Sequence, residues 1–203
     1  MNVKLGYTMH FTAGVWWDNH LIMSNYTATF KLITVTPDVR DSNVALERLR
    51  YVLDEVLTDA VFINQSETDQ IKKLKAAGIE PIVMPEEPVD QIVGMMLYSK
   101  ANAIMEGRVS VRSVLLSSNV GDEVIYEHDQ SESLAPFDTT GWWSNSSPTC
   151  ETVAVGKRSK DQVFVIANSK PWRDLNLDWF DNQVESDEEN VLVFTDFKND
   201  KDK

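Results

Sequence analysis

Between Ala60 and Met84 the chain leaves little freedom in its local fold. AVFIN at 60–64 and IEPIVM at 79–84 are short, apolar, β-branched runs, the pattern of buried strands. Between them, Ile71 and Leu74 form an apolar stripe, while Lys72, Lys73 and Lys75 form a wet face. Ser66, with Asp69 three residues on, reads as the N-cap of a helix. Gly78 reads as the residue that closes it in left-handed backbone. Strand, helix and strand at this spacing predict a parallel βαβ unit with a right-handed crossover.

The segment after this unit is the most apolar helix candidate in the sequence. Pro85-Glu86-Glu87-Pro88 marks its start, because proline suits the first turn and carboxylates complement the helix dipole. From Val89 to Glu106 a polar sector holds Gln91, Tyr98, Asn102 and Glu106. Val89, Ile92, Val93, Met96, Leu97, Ala103 and Ile104 cover the rest, and Gly107 closes the helix. Lys100 breaks the pattern by projecting from the apolar meridian. The plainer reading is a snorkelling lysine with its ammonium at an edge. The sharper one is a buried lysine with a carboxylate partner or a lowered pKa.

On either side the pattern is mostly strand. Residues 3–17 alternate loosely, with a kink expected at Gly14. Asp18-Asn19-His20 turns the chain, and Ile22–Thr36 returns, predicting an antiparallel hairpin. Ser42 or Asn43 should cap a helix over Val44–Leu57, with Glu47, Arg48 and Arg50 among its solvated charges. Arg108–Ser117 and Glu123–His128 predict a second hairpin, and Thr152–Val155 with Val163–Ala167 a third. The order ββαβαβαβ gives an α+β or α/β fold: a mixed sheet with a central βαβ unit, an N-terminal hairpin, C-terminal β-hairpins, and helices packed on the sheet. Residues 1–180 read as one domain with a long loop at 129–150. Residues 181–203 read as an acidic segment with one strand at Val191–Phe194 and a frayed end.

Composition narrows the function classes. With 42% hydrophobic and 25% charged residues the chain is an ordinary globular one. No apolar run is long enough to span a membrane, and no leader pattern opens the sequence, so a cytoplasmic protein is expected. The sequons at Asn25, Asn64 and Asn145 carry no weight without a secretory route. One cysteine, Cys150, excludes an internal disulfide framework and reads as a small semi-buried side chain. A net charge of −13 argues against nucleic acid and favours a basic protein partner.

Chemistry has few places to sit. Ligands on parallel sheets bind beyond the carboxyl ends of strands. That edge carries Asn64, Gln65 and Ser66 after one strand and Glu86 and Glu87 after the next; with Lys100 these are the candidate ligand-binding residues. The plainer reading makes Ser66, Glu86 and Glu87 helix caps. There is no phosphate-loop glycine spacing. His10, His20 and His128 lack metal-ligand spacing, so no metal and no cofactor is assigned.

Tryptophan is the unusual residue. Trp16-Trp17 and Trp142-Trp143 fall at a strand end and in the long loop, and in an extended pair one ring faces outward. These four are the candidate protein-binding residues; the alternative is that they roof the core. The sequence favours an acidic adaptor or inhibitory protein without catalysis, of a kind at home in a phage or mobile element. A small enzyme or ligand-binding domain using the strand-end edge, and a subunit of a larger assembly, are the alternatives.

Overall fold

The computed structural model describes residues 3–148 and 171–180. The expected hairpin at 152–167, the expected strand at 191–194, Cys150 and the acidic C-terminal segment lie outside the described residues.

The chain opens with a long antiparallel hairpin, β1 (Lys4–Trp17) and β2 (His20–Thr34). Its two-residue turn, Asp18-Asn19, takes positive φ at both positions, which matches the right-handed twist of the flanking strands. β1 is unbroken in register through Gly14. A Cβ at Gly14 would lie 2.9 Å from Leu21 Cδ1, so the exposed Leu21 side chain would have to shift to admit one.

Helix α1 (Val39–Tyr51) starts earlier than expected. Asp38, not Ser42 or Asn43, is the cap: its Oδ1 accepts from the Arg40 N–H at 2.8 Å. Ser42 lies inside the helix and its hydroxyl donates back to the Asp38 carbonyl. A π-helical turn, Val52–Leu57, extends α1. Then come β3 (Val61–Asn64), α2 (Thr68–Ala76) and β4 (Ile82–Met84), with β3 and β4 parallel as the sequence predicts. Ser66 does not cap α2; its own N–H is taken by Asn64 Oδ1 at 2.9 Å. α3 (Asp90–Met105) ends in left-handed backbone at Glu106 and Gly107. β5 (Val109–Ser118) and β6 (Tyr126–Asp129) form the last described hairpin.

The strands make one mixed six-stranded sheet in the order β4-β3-β1-β2-β5-β6, an α+β fold. Odd positions of β1 (Phe11, Ala13, Val15) and even positions of β2 (Tyr26, Ala28, Phe30, Leu32) are buried with Val93, Met96, Leu97 and Ile104 of α3 and Leu49, Leu53 and Leu57 of the first helix. The opposite parity carries Thr8, His10 and Thr12 beside Thr29, Thr27 and Asn25, paired across the strands by side-chain hydrogen bonds. The core thus lies on one side of the sheet.

α3 holds this core. Asn102, from its polar sector, accepts the Val111 N–H at 3.0 Å and fixes the helix on β5. Ile104 has no solvent exposure, so Ile104→Ala should cost about 2–5 kcal/mol in urea denaturation. A loss below about half a kcal/mol would remove α3 from the centre of the core.

Candidate functional site

Because β3 and β4 run parallel to β1, their carboxyl ends lie at the same end of the sheet as the hairpin tip. β5 is antiparallel to β2 and finishes beside Tyr26, so the β5–β6 loop reaches this end too. Hydrogen bonds tie the pieces together. Asn64 Nδ2 donates to Glu87 Oε1 at 3.0 Å, and Gln65 Nε2 to the Pro85 carbonyl at 3.1 Å. Ser118 Oγ donates to Asp90 Oδ1 at 2.8 Å, and the Asn25 N–H to Asn119 Oδ1 at 2.6 Å.

Five of the residues expected to bind a ligand, Asn64, Gln65, Ser66, Glu86 and Glu87, are therefore brought together. Their polar atoms largely serve one another: Asn64 spends its amide on Glu87 and its carbonyl on Ser66. The arrangement locks two loops rather than presenting open donors. Lys100 is not part of it.

This end also exposes large apolar side chains. Leu21, Met23, Val89, Val120, Val124 and Ile125 are exposed, as is Trp17 at the hairpin tip, while Trp16 is half-buried. Asp18, Glu86, Glu87, Asp122 and Glu123, all exposed, stand among them. Leu21 and Met23 share the parity of Asn25, Thr27, Thr29 and Lys31 on β2. That was the available signal: two large apolar side chains on the wet face of an otherwise polar strand.

Lys100, Trp142 and Trp143 are buried. Lys100 is 1% exposed, so it does not snorkel. Its ammonium donates to the carbonyls of Trp142 (3.0 Å), Asn145 (3.0 Å) and Ser147 (2.7 Å) and lies 4.9 Å from the Trp142 ring centroid. Carbonyl dipoles and an indole face receive the charge, and the 142–147 turn is wound about it. Trp142 and Trp143 are both buried. Trp143 meets Phe137 edge-on and donates its Nε1–H to the Thr139 carbonyl at 3.0 Å. The loop expected to offer an exposed indole turns both inward, because α3 needs a roof on this side.

Arg48, expected among the solvated charges of α1, is buried as well. It lies on the apolar stripe, three residues after Ala45 and four before Val52. Its Nε–H donates to the Leu177 carbonyl at 2.7 Å and Nη1 pairs with Glu106 at 3.1 Å. The guanidinium stacks 3.7 Å from the Trp179 centroid and 4.7 Å from that of Trp172. Burial pulls its pKa down, opposed by Glu106 and Asp178. Trp179 donates to Glu106 Oε2 at 2.8 Å, and Asp41 accepts the Phe180 N–H and pairs with Arg108. Segment 171–180 is clasped by these contacts onto α1 and the end of α3.

His128 faces the core side of β6, edge-on to Tyr98, with Nδ1 3.2 Å from Glu132. Among the described residues no group of histidine, cysteine and carboxylate side chains is arranged to hold a metal. No helix there is long and apolar enough to cross a membrane.

No protein-family model and no curated protein matches the chain. Among solved structures it is similar to an uncharacterized protein, WS1659, from Wolinella succinogenes (13% identity, 64% of this chain and 99% of that one, TM-score 0.44). It is also similar to a catalytic-residue mutant of Plasmodium vivax 6-pyruvoyltetrahydropterin synthase (12% identity, 64% and 99%, TM-score 0.40). At this distance neither likeness bears on chemistry.

Two outcomes test these assignments. Lys100→Met strands several carbonyls in the interior, and should cost about 3 kcal/mol or more and alter the near-ultraviolet tryptophan signal. A cost under about 1 kcal/mol would show that the ammonium does not organise the loop. For His128, burial holds the imidazole below its ordinary range, with Glu132 and Asp129 pulling it up. The unfolded chain therefore takes up this proton first, so the neutral ring's contribution is complete above about pH 6.5 and is lost as the pH falls below it. The urea midpoint should fall between about pH 7.5 and 5.5, and His128→Gln should flatten that fall. An unchanged profile would overturn the assignment.

Proposed function

We propose that this protein is a non-catalytic, protein-binding module that meets its partner with the end of the sheet carrying the hairpin tip. The observation that supports this most is the exposed apolar set there. Trp17 is 41%, Met23 53% and Ile125 66% exposed, and with Leu21, Val89, Val120 and Val124 they make up most of the exposed large apolar side chains among the described residues, the others being Val3, Val35, Val39 and Ile79. Contiguous apolar surface rimmed by polar groups is typical of protein-binding sites, and tryptophan is enriched among their energetic anchors.

The rim sets the partner's chemistry. Asp18, Glu86, Glu87, Asp122 and Glu123 are exposed at the same end as the apolar residues, in a chain of net charge −13. Such a rim favours a partner whose apolar contact is bordered by lysine or arginine, and steers its approach. The enzyme reading has less support, because the polar side chains at the strand ends are engaged with one another.

Affinity capture with mass spectrometry identifies the partner, and patch variants locate its site. Trp17→Ala and Ile125→Ser should keep the far-ultraviolet spectrum and weaken the complex by about 2 kcal/mol or more each. Affinity should also fall as salt rises from about 0.05 to 0.5 M. Full capture by both variants would overturn the proposal.

A further inference from the structure

β1 has a free edge. On the side away from β2 it pairs with β3 only at Gly14 and Val15. Gly14 donates its N–H to the Ala60 carbonyl, and the Thr12 carbonyl accepts from Asp59, both at 2.7 Å. These bonds fix the direction of every backbone group upstream, because the β1–β2 register is unbroken and lateral direction alternates with a two-residue period. The N–H and C=O of Lys4, Gly6, Thr8 and His10 therefore point outward, and among the described residues no strand pairs with them. A strand edge of this length with no described partner is a template for another strand.

We propose that the occupant is a second copy of this chain, with the two β1 strands antiparallel about a two-fold axis at Thr8. Leu5-Gly6-Tyr7-Thr8-Met9-His10-Phe11 is a near-palindrome in character, apolar at odd positions and small or polar at even ones. Symmetric pairing sets Thr8 against Thr8, a favourable cross-strand pair. It sets His10 opposite Gly6, where the missing side chain leaves room for the imidazole. On the core side it sets Tyr7 against Met9 and Leu5 against Phe11. Leu5, Tyr7 and Met9 are half-buried in one copy, and the second copy covers what remains.

The helix beneath agrees with this symmetry. Glu47, Arg50 and Asp54 lie close enough to Tyr7 to act on its phenol. Arg50 pairs with Asp54 at 3.4 Å, and Glu47, exposed, forms no ion pair among the described residues. This flank carries both signs of charge, Glu47 and Asp54 with Arg50, as a surface that pairs with its own copy needs. A two-fold interface requires this of any surface.

The test is the oligomeric state of the full chain by sedimentation velocity, with folding followed by circular dichroism. The wild type should be a dimer. Thr8→Pro removes an outward N–H and no backbone bond to β2, only the exposed hydroxyl contact with Thr29, so it should fold and weaken the dimer by about 10- to 100-fold. Thr8→Lys and Thr8→Glu put like charges opposite each other and should each be monomeric, while their equimolar mixture should dimerise. A monomeric wild type, variants that all remain dimeric, or a mixture that stays monomeric would overturn the proposal.

Discussion

A helix that is apolar around most of its circumference cannot lie on a sheet and leave its back to water, and this constraint organises the molecule. α3 presses one side on β5 and the hairpin strands, and α1 covers a flank. The remaining arc is roofed by the 137–143 segment, with Phe137, Trp142 and Trp143 in the same core. With α1 and α3 packed on one side of the hairpin, its other face keeps its threonines, His10 and Asn25 in cross-strand pairs.

Two buried cations hold the coverings in place, and each does so through backbone carbonyls and tryptophan. Lys100 winds the 142–147 turn about its ammonium. Arg48 clasps segment 171–180 between Trp172 and Trp179 and donates to the Leu177 carbonyl. Carbonyls of irregular segments lack ladder partners and need donors when buried. A long cationic side chain rooted in a helix supplies several donors from one position. The indoles add a negative face that tolerates the charge where a purely aliphatic wall would not. Tryptophan clusters in the loops of this protein chiefly for that reason.

Packing of this kind separates the places where the chain is finished from the places where it is not. The long loop is finished, since its aromatic side chains are inside. The end of the sheet with Trp17, Leu21, Met23, Val124 and Ile125 keeps apolar surface in water, among carboxylates. The outer edge of β1 keeps backbone groups with no strand opposite them among the described residues. Partner recognition and self-association, as proposed, draw on these two regions, which lie at different places on one sheet and do not compete.

The local fold was legible in the sequence because it depends on short-range periodicity. Alternation defined β1 and β2, the paired apolar runs defined β3 and β4 as parallel neighbours, and the long apolar arc marked α3 as central. The start of α1 was misplaced because Ser42 and Asn43 resemble caps as well as Asp38 does, and only backbone geometry decides among them. Lys100 is legible as a charge on an apolar stripe, whereas Arg48 reads as a solvated charge and the structure buries it. Their carbonyl partners come from more than forty residues away in each case, a distance over which no periodicity operates. Trp142 and Trp17 look alike in sequence, each in an adjacent pair near a chain reversal. One is roofed under a loop by a lysine and the other stands at a hairpin tip, because burial is settled by what the remainder of the chain brings to each place.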